Sequence, residues 1–209
     1  MIHQPLQRIG LYGGAFDPPH TAHHRLAACA IDQLALQRLY VVPTGDAWHK
    51  TRTLTAAIHR LAMARLNFSD LPQALIDARE TQRAGPSYTI DTLRELKTEH
   101  PAAEFFLLMG EDQAAHFESW KDWQEIAQLA QLVVAPREQV NTTVQVSHEW
   151  HNHPQFRATL LHMPLETVSA TDIRLRIGKG FNPEQALQPA VFHYIQHHHL
   201  YLDRHDRSL

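Results

Sequence analysis

Two histidines near the start of the chain follow a pair of glycines at a spacing that suits phosphate binding. His20 and His23 come shortly after Gly13 and Gly14. Glycines let a backbone approach an anion closely, and the start of a helix presents unpaired N–H groups with a partial positive charge. Imidazoles in the first turn of that helix add hydrogen-bond donors. We therefore predict that this stretch holds phosphate in an active site.

The residues around this stretch predict the elements that hold it. Residues 9–12 form an apolar run that is typical of a buried strand. Beyond the histidines, apolar residues recur at helical spacing: Leu26, Ala27, Ala30, Ile31 and Leu34. A strand that turns through glycines into a helix is the expected local structure.

A second helix start, late in the chain, carries groups that also suit phosphate. Ser169 and Asp172 have the spacing of a capping box, Thr171 adds a hydroxyl, and Arg174 adds a guanidinium fork. By itself this pattern favours an ordinary capped helix with a solvated arginine. In open α/β sheets, however, ligands bind beyond the carboxyl ends of the strands, where both helix starts would lie. We therefore expect a second phosphate contact here.

Short β-rich runs alternate with helical patterns along the chain. The predicted strands are residues 9–12, 38–43, 75–78, 105–110, 132–135 and 160–163. This alternation predicts an α/β fold with a doubly wound, mostly parallel sheet. We expect a single domain over residues 1–209, with an α/β core at 8–165 and a helical C-terminal segment at 166–209. Residues 138–154 are polar and are predicted to form an irregular loop.

Capping residues predict where further helices begin. Thr55 is expected to cap a helix, as are Ser87 or Thr89 for the next one and Asn182 for a later one. Pro189 is expected to begin the last helix. The inner face of the helix after Thr55 is predicted to carry Ile58, Leu61, Ala62 and Leu66.

Composition narrows the class of protein. The chain has 209 residues, 44% of them hydrophobic, and a formal net charge of −3, so it can bury a core and has no general attraction for nucleic acid. A single cysteine, Cys29, excludes an intramolecular disulfide and fits a reducing compartment. We find no pattern of a signal peptide or a transmembrane helix. We expect a soluble cytoplasmic protein without nucleic-acid or membrane partners; its oligomeric state, a homo-oligomer included, stays open.

Other common sites for nucleotides and metals are not supported by the sequence. No Walker motif and no complete Gly-x-Gly-x-x-Gly is present. The chain has seventeen histidines, with clusters at residues 148–153 and 197–199, but neither cluster has the spacing of a structural zinc site. We interpret both clusters as solvated surface, and we predict no protein metal site.

The motifs at both helix starts resemble the nucleotidyltransferase superfamily marked by a His-x-x-His sequence, here residues 20–23. Within it the chain is similar to the bacterial nicotinate-nucleotide adenylyltransferase family. Further matches follow in family order: His49-Lys50, residues 87–93, residues 110–112 with Trp120, and residues 168–174. Ala15, Ala22 and Trp48 depart from the residues common in the family, and Trp48 leaves the role of the loop at 44–52 open.

The resemblance implies a Rossmann-like fold, a reaction and a set of site residues. ATP and nicotinate mononucleotide would give nicotinate adenine dinucleotide and pyrophosphate, with magnesium carried by the ATP phosphates. The implied catalytic residues are His20, His23 and Arg174. The implied ATP-binding residues are Gly13, Gly14, Ala15, Phe16, His20, His23, Gly110, Asp112, Ser169, Thr171 and Arg174. The implied mononucleotide-binding residues are Asp17, Lys50, Tyr88, Thr89 and Trp120.

Several alternatives stay open at this point. The acceptor could be nicotinamide mononucleotide or another phosphate, and the chain could be a non-catalytic nucleotide sensor or a His-rich metal-handling protein. From the residues alone, Trp120 is as readily a core tryptophan as a stacking partner for a ring. Asp112 is placed either to bind a ribose hydroxyl or to cap a helix.

Overall fold

A sheet of six parallel strands runs through the part of the chain that the structure describes. This computed structural model describes residues 6–45, 53–136, 156–164 and 167–202. The strands are β1 Arg8–Gly14, β2 Arg38–Pro43, β3 Ala74–Ile76, β4 Glu104–Gly110, β5 Gln131–Ala135 and β6 Ala158–Leu160. Their order across the sheet is β3-β2-β1-β4-β5-β6. The order reverses between β1 and β4, and ligands of doubly wound sheets bind at such a point.

Helices connect these strands. They are α1 Thr21–Gln33, α2 Ala57–Asn67, α3 Arg79–Gln82, α4 Thr89–Glu99, α5 Glu111–Ala114, α6 Trp123–Leu129, α7 Ala170–Gly178 and α8 Pro189–His197. Within the described ranges, none of them has both the length and the apolar character needed to cross a membrane.

Both faces of the sheet are covered at its four central strands, which explains why β1, β2, β4 and β5 are apolar through most of their length. Along β4, Phe105 and Leu107 pack on one side with residues of α4 and α6. Phe106 and Leu108 pack on the other side with residues of α1 and α2. Successive strand residues point to opposite faces, so a strand between two helical layers needs apolar residues at every position. The prediction of a doubly wound α/β fold is confirmed.

The C-terminal helices pack on α2 rather than on the sheet. Met63 of α2 lies in a buried cluster with residues of α7, α8 and the turn between them: Ile173, Ile177, Leu187, Val191 and Ile195. This packing brings the start of α7 towards the carboxyl ends of the strands. The predicted boundary at 165/166 lies outside the described residues, and the division into a core and a C-terminal segment stays a prediction.

The predicted start and inner face of α2 are wrong. Its N-cap is Ala56, and Ile58 is 72% exposed. The buried face carries Arg60, Met63, Ala64 and Asn67. Thr55 lies one residue before this cap, where its backbone N–H donates to the Asp17 carboxylate and its carbonyl accepts from Arg60.

Other local predictions shift by a few residues. Tyr88 is the N-cap of α4, without a side-chain cap, and the Ser87 hydroxyl instead lies 3.5 Å from the Glu80 carbonyl. Asn182 accepts from the Glu184 N–H, but only a 3-10 turn, Glu184–Ala186, follows. Strands β3 and β6 begin earlier than predicted. The predicted loop at 138–154 lies outside the described residues.

Candidate active site

Two adjoining cavities open where β1 and β4 end. The larger, of about 730 Å³, is lined by the starts of α1 and α7; we name it the helix-start cavity. The smaller, of about 380 Å³, is lined by Tyr88 and Trp120; we name it the aromatic cavity. The two share lining residues at the strand ends, which are Gly13, Gly14, Ala15, Asp112 and Gln113. A molecule in one cavity would therefore meet a molecule in the other.

Glycines leave room at the ends of the two central strands. Apart from the adjacent residues in the chain, no described residue has an atom within 4 Å of a Cβ placed at Gly13 or at Gly110. Both glycines line the helix-start cavity, so a side chain at either position would project into space that a ligand can use. This supports the prediction that the backbone here approaches a bound group closely.

The two histidines at the start of α1 lie against each other. His20 is the N-cap and is 6% exposed, and its ring centroid is 3.7 Å from that of His23. The His20 backbone N–H donates to His23 Nδ1 at 3.2 Å. A neutral imidazole that accepts at Nδ1 carries its proton on Nε2. His23 can therefore donate from Nε2 without becoming charged.

Phe16 supports His23 from a strained backbone conformation. Its φ is 46°, in the left-handed region that a bulky residue rarely adopts. The side chain is buried, and its ring centroid lies 5.1 Å from that of His23 and 6.0 Å from that of Phe68. This packing offsets a backbone cost of about 1–2 kcal/mol and fixes one face of the imidazole.

Asp17 joins its own loop to three segments that are distant in the chain. It is 1% exposed, and its Oδ1 accepts from the Tyr201 hydroxyl at 2.7 Å. Its Oδ2 accepts from the Thr55 N–H at 3.1 Å, and its backbone carbonyl accepts from Arg174 Nη1 at 2.7 Å. Burial and the Asp17 charge both raise the pKa of Tyr201, which keeps the hydroxyl protonated and donating.

Arg60 adds a second buried tie to the same loop. It is 2% exposed and donates from Nη1 to the carbonyls of Ala15 and Thr44, and from Nε to that of Thr55. Neither Arg60 nor Tyr201 was predicted from the sequence. Arg60 could have been suspected, because an arginine on the inner face of a helix needs buried acceptors. Tyr201 carried no comparable signal.

The start of α7 faces the start of α1. Ser169 accepts from the Asp172 N–H at 3.1 Å, so the predicted cap is confirmed. Arg174 Nη2 donates to the Thr171 hydroxyl at 3.1 Å, while its other terminal nitrogen reaches Asp17. The guanidinium group is therefore fixed in the lining of the helix-start cavity, to which the two imidazoles also belong.

The aromatic cavity combines half-buried rings with a buried acid. Trp120 packs edge-on against Phe117, with ring centroids 5.7 Å apart. Glu80 is 7% exposed and its Oε1 accepts from the Thr92 hydroxyl at 2.8 Å. Burial raises the pKa of the Glu80 carboxyl, and this outweighs the opposing effects of Thr92 and Arg83.

Most predicted site residues line these cavities. Those at the helix-start cavity are Gly13, Gly14, Ala15, Phe16, Asp17, His20, His23, Gly110, Asp112, Ser169, Thr171 and Arg174. Tyr88, Thr89 and Trp120 line the aromatic cavity. Asp17, which the resemblance placed among the mononucleotide-binding residues, thus lines the helix-start cavity together with the implied ATP-binding residues. Lys50 lies outside the described residues.

The histidine clusters do not form a metal site where the structure describes them. His197, His198 and His199 are exposed, as predicted, and the cluster at 148–153 lies outside the described residues. Among the residues that are described, no group of three or more His, Cys, Asp or Glu side chains could hold a metal ion.

Solved structures of other proteins share the fold of this chain. The chain superposes on the Plasmodium falciparum nicotinic acid mononucleotide adenylyltransferase complexed with NaAD, with a TM-score of 0.75 and 20% identity over 93% of this chain and 97% of that one. A putative nicotinate-nucleotide adenylyltransferase from Vibrio parahaemolyticus gives a TM-score of 0.66 at 17% identity, over 94% and 96% of the two chains. At these identities the likeness concerns the fold.

Sequence comparisons carry the family assignment. A cytidylyltransferase-like family model matches residues 11–176. A protein of Methylibium petroleiphilum named "Probable nicotinate-nucleotide adenylyltransferase" is 40% identical, over 94% of this chain and 93% of the relative. A protein of Albidiferax ferrireducens with the same name is 52% identical, over 94% of this chain and 98% of the relative. The resemblance seen in the motifs is thus confirmed, and the chain belongs to the nicotinate-nucleotide adenylyltransferase family.

Proposed function

We propose that this chain transfers the adenylyl group of ATP to nicotinate mononucleotide, giving nicotinate adenine dinucleotide and pyrophosphate, as a step in NAD biosynthesis. The observation that carries the proposal is the junction of the two cavities at Gly13, Gly14 and Asp112. One cavity offers phosphate-binding groups, the other offers aromatic rings, and a dinucleotide needs both. The names of the relatives agree with this assignment.

In this proposal the helix-start cavity holds the triphosphate from two sides. His20 and His23 donate to ATP phosphates from the start of α1, and Arg174 donates from α7. Ser169 and Thr171 add hydroxyls beside the Arg174 fork. A helix start and a planar guanidinium are both well suited to phosphate oxygens. Ala135 and Pro136, which line the same cavity, provide an apolar border for the adenine.

The reaction needs no protein nucleophile. An oxygen of the mononucleotide phosphate attacks the α-phosphorus of ATP, the bond to the oxygen that bridges to the β-phosphate breaks, and pyrophosphate leaves with that electron pair. The protein places two anions in line and stabilises the charge that develops. Well-oriented reactants can recover about 7–11 kcal/mol of the barrier, and His20, His23 and Arg174 supply the electrostatic part.

Magnesium enters this proposal with the nucleotide. The donor set of the helix-start cavity is dominated by N–H, imidazole and guanidinium groups, and the Asp17 carboxylate accepts from Thr55 and Tyr201. These residues fit a metal carried by phosphate oxygens rather than one held in a protein cage. When bound, magnesium would neutralise phosphate charge.

The aromatic cavity takes the nicotinate ring in this proposal. Tyr88 and Trp120 offer ring faces, and the first N–H groups of α4, at Thr89, can donate hydrogen bonds to a carboxylate. Lys50, assigned to the mononucleotide phosphate by resemblance, stays a prediction. The single cysteine, Cys29, supports a reducing compartment, and we place this activity in the cytoplasm.

A coupled assay tests the proposal against a non-catalytic sensor. Purified protein is incubated with ATP, magnesium and nicotinate mononucleotide, and both pyrophosphate and the dinucleotide are quantified. Equal amounts of the two products, dependent on both substrates, are expected. Nucleotide binding by calorimetry without either product would overturn the proposal and favour a sensor.

A further inference from the structure

Lys121 lies at the rim of the aromatic cavity. Among the described residues that line this cavity, Lys121 is the only one with a side chain of the lysine or arginine type. Its ammonium nitrogen lies 4.4 Å from the centroid of the Tyr88 ring. The ammonium group thus lies against Tyr88, the N-cap of α4.

The ammonium group of Lys121 is held loosely. Its nitrogen is 3.8 Å from Asp91 Oδ2, at the outer limit of an ion pair, and the side chain is 45% exposed. Asp91 also pairs with Arg94 at 3.3 Å, so it keeps a cation when Lys121 moves. Exposed pairs of this kind contribute little stability. A short rotation of the lysine stem towards the cavity therefore costs little, because it gives up this weak pair and one exposed cation–π contact with Tyr88.

A positive charge would favour an anionic ring in this cavity, in addition to the N–H groups at the start of α4. Its described lining contains two carboxyl groups, those of Glu80 and Asp112. A pyridine carboxylate brought beside them would meet like charge, which raises the free energy of binding. The neutral amide of the same ring would not. Acid and amide mononucleotides differ at this one substituent, so a mobile cation at the rim can discriminate between them.

We propose that the Lys121 ammonium group pairs with the ring carboxylate of the mononucleotide and thereby sets a preference for the acid over the amide. The proposal rests on the proposed adenylyl transfer and adds the residue that distinguishes a carboxylate from an amide on the ring. In the free protein the ammonium group rests on the face of Tyr88. With substrate bound it forms a charge-assisted hydrogen bond at the start of α4, where the helix N–H groups also favour negative charge.

The test compares both mononucleotides in wild type and in Lys121→Met, which keeps the length and apolar character of the stem. We expect kcat/KM for nicotinate mononucleotide to fall about 10- to 100-fold, the usual range for a charged hydrogen bond. With nicotinamide mononucleotide it should change less than about twofold because the amide offers no charge to pair. Lys121→Arg should keep most of the acid preference.

Lys179→Met is the matched control, because Lys179 is an exposed lysine at the end of α7 that lines neither cavity. Thermal melting of each variant checks the fold. Equal losses for acid and amide in Lys121→Met, or no loss for either, would overturn the role of Lys121 while the adenylyl transfer stands. No turnover of either mononucleotide by the wild type would overturn both proposals.

Discussion

The helix-start cavity and the aromatic cavity share a border but are built in different ways. In the first, the functional groups are fixed by buried hydrogen bonds from distant parts of the chain, as where Tyr201 and Arg174 both bind Asp17. In the second, Tyr88 and Trp120 are half-buried rings, and Lys121 is exposed at the rim. Among the described polar residues that line it, Glu80, bonded to Thr92, is the one that is comparably buried.

This difference matches two different tasks. Stabilising charge as a phosphate bond breaks depends on donors that are already in place, since their reorganisation would add to the barrier. Recognising a flat ring depends on contact area, which mobile side chains can supply. We therefore expect changes in the helix-start cavity to lower kcat and changes in the aromatic cavity to raise the KM of the mononucleotide.

The largest effect is expected for His20→Ala and His23→Ala. Each removes a donor from the start of α1, and losing one such donor typically lowers kcat by about 10²–10³-fold. His24→Ala is the control, since His24 sits on the same helix but binds Asp70 at 2.9 Å. Steady-state rates with both substrates and melting temperatures measure the result. Near-wild-type turnover in both variants would remove the histidines from the mechanism.

Arg174→Lys comes next, and it tests whether the guanidinium fork matters or only its charge. A lysine keeps the charge but cannot contact Asp17, Thr171 and a phosphate at once, as the fork geometry allows. We expect kcat/KM for ATP to fall about 10–100-fold. Arg176→Lys is the control because Arg176 lies on the same helix in an exposed pair with Asp172. Equal behaviour of the two variants would contradict the assignment.

In the aromatic cavity, Trp120→Leu should weaken binding of the mononucleotide without changing kcat. Stacking of a ring on an aromatic side chain is worth about 1–3 kcal/mol, so the KM of the mononucleotide should rise about 5- to 150-fold. The KM of ATP should stay near its wild-type value. Trp123→Leu is the control, since Trp123 packs on Phe117 and Phe156 and does not line the cavity. A matching rise in the KM of ATP would argue that Trp120 only supports the fold.

Sequence patterns succeeded where neighbouring residues alone determine the structure. The apolar run at 105–110 became β4 because a strand covered on both faces must be apolar throughout. The Ser169 cap formed because its partner lies three residues away. The glycines and histidines of the first helix start are likewise a local motif, so the sequence identified most of the helix-start cavity.

The rest depends on contacts between residues that are distant in the chain. Thr55 resembles a cap, but its N–H binds Asp17, which a helical window does not contain. Tyr201 meets Asp17 only because α7 and α8 pack on α2. Lys121 reaches the aromatic cavity through the 3-10 turn at Phe117–Ser119, for which no periodic pattern exists. Local patterns therefore predict the hydrogen-bond donors of the site better than they predict the hydrogen-bond network that holds those donors in place.

The smallest effect is expected for Glu80→Gln, which asks whether the aromatic cavity also holds one rigid polar group. Burial raises the pKa of the Glu80 carboxyl, so the folded protein binds its proton more tightly than the unfolded chain does. Between the usual and the raised pKa, the folded state thus holds more protons, and the free energy of unfolding falls as pH rises through that window. A glutamine cannot ionise, yet its oxygen can still accept from Thr92.

The stability of Glu80→Gln relative to wild type should therefore increase with pH above the usual pKa of a glutamate, and the difference should be constant below it. Urea unfolding at a series of pH values from about pH 4 upward measures this difference. Glu118→Gln, at an exposed position outside the cavity, is the control. A difference that does not change with pH would mean that Glu80 ionises alike in both states. In that case the aromatic cavity would have no buried acid of shifted pKa, and its contrast with the helix-start cavity would be sharper still.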